Sequence, residues 1–166
     1  MIDGKAYRRI LGHYPTGVCA ITAPAGDGTH AAMIVGSFTA VSIDPPLVGF
    51  LPLKTSSSWS SINKAGRFCA NILGADQQAE CRQLATTGAD KYADIPFRMS
   101  RNGSPILEDA IAWIDCAIEQ VIDAGDHHFV LGRVLSMEIA REDHDPMIFL
   151  RGKYGGFAET RAERRY

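Results

Sequence analysis

Patterns that announce an activity outright are missing from this chain. Across its 166 residues there is no GxGxxG after a strand-like run, no GxxxxGK[ST], no GxSxG and no HExxH. A Rossmann dinucleotide fold, a P-loop, an α/β-hydrolase and a zincin therefore all lose their main support. Cysteine is sparse: Cys19, Cys69, Cys81 and Cys116 form neither a CxxC nor any zinc spacing, and thiols set among apolar residues behave as small buried hydrophobes. Charge of one sign is also lacking. Seventeen basic against 19 acidic side chains leave a net charge of −2, too balanced to attract nucleic acid or an anionic membrane as partner. No run approaches the ~18 apolar residues of a membrane span, and MIDGKAYRRILGHYPTG is charged where a signal peptide needs an apolar stretch. The expectation is a soluble cytoplasmic protein with neither membrane nor nucleic acid as partner. No metal is expected either, because Asp143, His144 and Asp145 sit in a connecting loop without a third spaced ligand.

What is present describes an ordinary globular chain, 46% hydrophobic and 22% charged. Its length suits one domain over residues 1–166, with a core at about 7–157 and a polar tail at 158–166 whose basic residues alternate with acidic ones. Tyr7, Ile10, Leu11 and Tyr14 recur at helical spacing ahead of Pro15. The period then changes to two. GVCAIT (17–22), AAMIV (31–35), FTAVSI (38–43) and LVGFL (47–51) are short β-rich runs punctuated by AGDG and DPP. SSSWSSINKAG reads as a serine-capped helix stopped by Gly66. FCANIL (68–73) is a further strand, and Asp76 is placed to cap a helix running to about Leu84. Residues 88–104 lack clear periodicity and read as an ordered loop able to cover a site. Ile114, Cys116, Ile118 and Ile122 alternate with acidic residues, and Phe129, Leu131, Leu135, Met137 and Ile139 follow a turn at 123–126. The pair reads as a long hairpin with one buried and one wet face. Strand-rich with a few inserted helices, the whole implies a closed or split antiparallel barrel with helices outside.

Two stretches have chemical character. In GSFTAVSIDPPLVGF (36–50), small and hydroxylated residues interleave with apolar ones. That uncharged polar face suits a planar heterocycle rimmed with hydrogen-bonding atoms, though Ser and Thr also decorate plain wet sheet faces. In LKTSSSWSS (53–61), a lysine, a threonine and a run of serines precede a helix start. Hydroxyls, free amides and the positive helix end together favour a phosphate; the same serines equally suit simple helix capping. A ring face and a phosphate site close in sequence together describe a mononucleotide. GDHHFVLGRV (125–134) adds two adjacent histidines at a turn, where one ring commonly faces solvent and the other packs on the sheet.

The ordered set YPTGVCAIT, GSFTAVSIDPPLVGF, SSSWSSINKAGRFCANIL, GDHHFVLGRV and RGKYGGF resembles the flavin reductase-like family, the small reductase components of two-component monooxygenases and their FMN-binding relatives. The resemblance covers about residues 7–157. It implies a fold that is mainly β with α, an FMN-binding split β-barrel (a Greek-key antiparallel barrel) with short flanking helices. It also implies a homodimer that binds FMN, or FAD, takes hydride from NADH or NADPH, and supplies reduced flavin to an oxygenase component. By the same resemblance Met33, Ile34, Val35, Gly36, Ser37, Phe38, Thr39 and Ala40 lie along the isoalloxazine ring. Lys54, Thr55, Ser56 and Ser58 hold the flavin phosphate. His127 stands beside the nicotinamide or flavin ring as the catalytic-site contact, and Tyr154 lies near the same mouth. The phosphate loop departs from many relatives in being serine-rich and lacking an arginine. Two other readings are a flavin carrier or sensor without reductase turnover, and an oxidase of the pyridoxamine phosphate type, whose phosphate site asks for more basic residues.

Overall fold

In the computed structural model of the chain, residues 2–26, 28–88 and 90–159 are described; the basic residues of the tail at 161–165 lie outside them. The elements run α1 (Gly4–Leu11), β1 (Thr16–Gly17), β2 (Cys19–Pro24), β3 (His30–Val35), β4 (Thr39–Ser42), β5 (Leu47–Phe50), α2 (Ser57–Ala65), β6 (Arg67–Ile72), α3 (Gln78–Leu84), β7 (Phe97–Met99), β8 (Pro105–Leu107), β9 (Ala112–Ala124), β10 (His127–Ile139), β11 (Ile148–Leu150) and β12 (Lys153–Gly155). The fold is mainly β with flanking helices, and every strand pairing is antiparallel.

Seven strands form the main sheet in the order β3-β2-β6-β9-β10-β5-β4. β3 and β4 stand at its opposite edges, yet only residues 36–38 join them. Laid flat, seven strands at ~4.8 Å spacing would hold those edges about 29 Å apart. The four Cα steps from Val35 to Thr39 reach at most about 14 Å. The sheet is therefore rolled, and since β3 and β4 do not pair, the barrel stays open at residues 36–38. The runs read at 31–35 and 38–43 thus become β3 and β4, joined by this corner.

Alternate residues of β3 face two cores. Ala31, Met33 and Val35 pack into the barrel with Phe50, Trp59, Ile62 and Phe68, while Ala32 and Ile34 meet a second cluster that includes Leu73, Leu84, Leu107 and Met147. Helix α2 closes the barrel with Trp59 and Ile62, whose three-residue spacing puts them on one face. Trp59 meets Phe50 edge-on at 5.9 Å, and Phe50 meets Phe68 at 5.1 Å. Gly66 ends the helix in the left-handed region at φ 66°, the conformation glycine adopts most cheaply. All four cysteines are buried and free; burial pushes the Cys116 thiol up to about 12 and keeps it uncharged.

Three expectations are corrected. Asp76 does not cap α3, since the residue before that helix is Gln77, with no side-chain cap bond. Asp76 is instead bound by Arg141, whose guanidinium holds the carboxyl below its usual range. The 88–104 segment is not all loop: it contains β7, which pairs with β8. Ahead of that strand, the Tyr92 hydroxyl donates to the Ala31 carbonyl at 3.0 Å, so the segment lies along the otherwise open edge of β3. The long hairpin does not keep one buried and one wet face: where it has sheet neighbours both faces are covered, and Trp113 and Asp115, on the face expected to be wet, are buried. β9 pairs with β6 over residues 112–117, and β10 with β5 over residues 130–133. Beyond those spans Ile122, Leu135, Met137 and Ile139 are exposed, because among the described residues each arm has only the other arm of the hairpin beside it there. Tyr7, Ile10, Leu11 and Tyr14 on and beside α1 are exposed as well, although Asp3 caps that helix by accepting from Lys5 and Ala6.

Candidate functional site

The tip of the β9–β10 hairpin is a tight turn, Gly125 and Asp126, with Gly125 at φ +67°. That tip is stitched to the loop after β5. Leu53 and His127 form an isolated antiparallel bridge. The Lys54 amide donates to the Asp126 carbonyl at 3.0 Å, and the His128 amide donates to the Pro52 carbonyl at 3.0 Å. The two histidines have different surroundings. Trp59 Nε1 donates to His128 Nδ1 at 2.9 Å, so the neutral ring keeps its proton on Nε2, 3.5 Å from Asp123 Oδ1. His128 is a strap between helix α2 and the hairpin. His127 Nδ1 lies 2.7 Å from Asp126 Oδ1, and its side chain is 38% exposed. A carboxylate partner selects the tautomer with hydrogen on Nδ1 and leaves Nε2 as a free acceptor. His127 in turn holds the Asp126 carboxyl below the usual carboxylate range.

The loop from residue 51 into α2 adjoins both this tip and the open corner of the barrel. Ser37 Oγ accepts from the Leu51 amide at 3.0 Å, which ties residues 36–38 to the loop. Ser56 is the N-cap of α2; its Oγ accepts from the Trp59 amide at 3.2 Å. Lys54 is engaged by the hairpin, with its Nζ 2.7 Å from Asp123 Oδ1. That contact holds the Asp123 carboxyl below its ordinary value. Thr55 is exposed. Ser58 Oγ accepts from Lys91 Nζ at 3.0 Å, and the same ammonium donates to the Ala32 carbonyl at 2.9 Å. Beside them a cleft of about 320 Å³ is lined by Thr29, Ser57, Ser58, Ser61, Thr87 and Lys91 among others.

On the other side of β3, Ile34, Val35 and Gly36 line a pocket of about 180 Å³ with Thr16, Phe149 and Tyr154. The Tyr154 ring lies 5.2 Å from that of Phe149, and Cys81 Sγ donates to its hydroxyl at 3.6 Å. A Cβ on Gly36 would stand 2.6 Å from Thr16 Oγ1, so glycine here makes room for a neighbouring side chain. Of the 33–40 stretch, Met33, Val35 and Phe38 are committed to the barrel core. Gly36, Thr39 and Ala40 are exposed and Ser37 is half-buried.

A family profile described as flavin reductase like domain matches residues 11–158. The chain belongs to the flavin reductase-like family. A flavin reductase of Pseudomonas putida is 49% identical over 157 residues, covering 95% of this chain and 92% of that protein. The solved structure of nitrilotriacetate monooxygenase component B from Mycobacterium thermoresistibile superposes with a TM-score of 0.90 at 41% identity, covering 97% of this chain and 92% of the other. An NADH:FAD oxidoreductase of Streptomyces globisporus, solved with NAD and FAD fragments, superposes with a TM-score of 0.89 at 28% identity, covering 98% and 99%.

Within this flavin reductase-like chain the structure brings Ser37, the serine loop and the GDHH turn together. Tyr154 lies with Ile34, Val35 and Gly36 at a separate opening. Reading the sequence missed Lys91, which lies 33 residues from its partner Ser58 in a segment without periodicity. It also missed Asp123 and Asp126, which looked like turn residues and engage Lys54 and His127. A carboxylate within the GDHH turn and another two residues before it were the available signal.

Proposed function

We propose that this protein is an NAD(P)H:flavin oxidoreductase that passes hydride from NADH or NADPH to FMN, with FAD as the alternative flavin, and supplies reduced flavin to a partner monooxygenase. The observation that carries the reading is the joining of three stretches into one locus: the open corner at 36–38, the serine-rich start of α2, and the His127 turn. A monooxygenase component among the similar structures supports the oxygenase partner.

The donor set fits a flavin mononucleotide. Residues 36–38 lie outside the pairing of β3 with β2 and of β4 with β5, so their backbone suits the edge of a planar ring. Ser56, Ser58 and the first amides of α2 suit its phosphate. When bound, a flavin supplies the electron-accepting chemistry, and it needs little acid or base from the protein. The chain's task is therefore to orient two flat rings and exclude water. Ser37 fixes the spacing between the corner and the loop. Asp126 holds His127 with Nε2 outward, where it accepts a hydrogen bond from a dinucleotide; His127 is not assigned as a general base. Tyr154 supplies an aromatic wall at the separate opening beside Gly36.

The exposed apolar residues of α1 and of the hairpin ends support a homodimer that covers them. Four reduced thiols suit a cytoplasmic setting, and among the described residues no helix is long and apolar enough to cross a membrane.

Mixing protein, FMN and NADH or NADPH without oxygen tests the activity. Protein-dependent bleaching of the flavin visible band is expected with at least one dinucleotide. No bleaching with either would favour a carrier or sensor, and a pyridoxal phosphate spectrum in the purified protein would point to the oxidase reading. His127→Ala is expected to raise the Michaelis constant for the dinucleotide by roughly tenfold, the value of one hydrogen bond of about 1.4 kcal/mol, with flavin affinity little changed. Steady-state kinetics beside a flavin fluorescence titration separates the two effects; a collapse of flavin affinity would remove His127 from the dinucleotide side.

A further inference from the structure

Among the described residues one carboxylate is buried outright. Asp115 is 1% exposed, on the face of β9 that carries Trp113 rather than the one that packs Cys116 into the barrel. The turn at 100–104, which links β7 to β8, closes over it. The Asn102 amide donates to Asp115 Oδ2 at 3.3 Å, and Asn102 Nδ2 donates to the Cys116 carbonyl at 3.1 Å. The turn is also knitted within itself, since the Ser104 amide donates to Ser100 Oγ at 3.1 Å and to Asn102 Oδ1 at 3.0 Å. Asp115 Oδ1, Ser104 Oγ and Trp113 Nε1 are buried here without a hydrogen-bond partner among the described residues. A carboxylate with one oxygen so placed forgoes hydration that a neutral carboxyl needs far less.

We infer that Asp115 is a pH-sensitive latch: as a neutral carboxyl it fastens the 100–104 turn to the barrel, and as a carboxylate it favours release of that turn. Release would extend to the edge of β3, because the chain ahead of the turn runs through β7 back to Tyr92 and Lys91, which donate to the Ala31 and Ala32 carbonyls. The inference stands apart from the flavin reading. The titratable and charged groups around Asp115 are Arg67 and Cys69 of β6, Cys116 of its own strand, Arg101 of the turn, and Arg98 of β7 with its partner Glu138 of β10. Burial keeps both thiols uncharged. Arg67 reaches the turn, its Nη2 lying 3.7 Å from where a Cβ on Gly103 would stand. Burial raises the Asp115 carboxyl above its ordinary range, and the Ser100 hydroxyl, the Asn102 amide and Arg67 draw it partway back. A group raised in the closed state stabilises that state fully below the ordinary carboxylate range, and the contribution is lost as pH rises through the raised value.

Hydrogen exchange read by mass spectrometry tests the latch without any flavin, from about pH 4 to about pH 8, the span above the ordinary carboxylate range. After correction for intrinsic exchange rates, the parent should lose protection over residues 97–107 as pH rises, while β5 on the far side of the barrel keeps its own. Asp115→Asn keeps an acceptor for the Asn102 amide and never ionises, so its protection over 97–107 should stay level. Arg67→Gln removes the cation that favours the carboxylate, so the loss should move to higher pH; this variant decides should Asp115→Asn fail to fold. Level protection in the parent, the parent's pH dependence persisting in Asp115→Asn, or a loss spread evenly to β5 overturns the inference. So does an Arg67→Gln profile that stays in place or moves to lower pH.

Discussion

Trp59→Ala is expected to destabilise the protein by about 3–5 kcal/mol, the usual cost of emptying a large buried aromatic site. Trp59 is 2% exposed and packs on Phe50, which in turn packs on Phe68, so a collapse would have to move α2, β5 and β6 together. The loss also reaches the candidate site. Trp59 Nε1 is the donor to His128 Nδ1, and His128 is bound to Pro52 through its amide. Without the indole, the hairpin tip and the serine loop lose one of the connections that set their spacing. Trp59→Phe separates the two contributions. Its ring keeps most of the packing against Phe50, while the lost donor leaves His128 without its partner, at about 1–2 kcal/mol. The midpoint of urea unfolding should fall far in the alanine variant and modestly in the phenylalanine variant. The dinucleotide Michaelis constant should rise in both. An unchanged Michaelis constant in Trp59→Phe would show that the strap does not position His127.

Gly36→Ala carries the second large effect. The added Cβ would stand 2.6 Å from Thr16 Oγ1, closer than non-bonded atoms tolerate, and 3.3 Å from Thr16 Cβ, a tight contact. β1, which carries Thr16, must shift against the barrel corner at about 1–3 kcal/mol, the usual cost of overpacking. The corner is also where the flavin edge is proposed to lie, so FMN affinity should fall with stability. Thr16→Ala combined with Gly36→Ala removes the clashing hydroxyl and distinguishes two roles for the glycine. If Gly36 only accommodates Thr16, the double variant regains both stability and FMN affinity. If the open backbone also serves the ring, the melting temperature recovers and FMN affinity does not. Differential scanning calorimetry and flavin titration on the same three proteins read both outcomes.

How much was legible in advance follows from which residues interact locally. The helix from Ser57 to Ala65 announced itself through a serine cap, the three-residue spacing of Trp59 and Ile62, and a glycine stop, all of which act within a few turns of chain. The β9–β10 hairpin was equally plain, since strand alternation and a Gly-Asp turn are local signals. Residues such as Leu135, Met137 and Ile139 carried the same alternation and still ended exposed. Periodicity reports which residues share a face, and it does not report whether another strand covers that face. Asp76 failed as a cap for a related reason: Arg141, 65 residues away, offered the carboxylate a charged partner.

The candidate site divides along the same line. Ser37, Ser56, Ser58 and His127 could be singled out because hydroxyls beside a helix start and a GDHH turn are unusual over short windows. The order of several weak motifs then indicated the flavin reductase-like family more firmly than any one of them. The difference between His127 and His128 was hidden, because it depends on Asp126 for one ring and on Trp59, 69 residues away, for the other. The difference between Lys54 and Lys91 was hidden in the same way.

By itself, then, the sequence determined the larger elements, their antiparallel β character and the family, since period, turn chemistry and motif order are all written over short stretches. Only the tertiary structure decided where the barrel stays open, which lysine meets a carboxylate and which histidine is the more exposed. Those outcomes depend on how seven strands roll until residues 36–38 can join opposite edges, and on ion pairs between segments that the chain order keeps far apart.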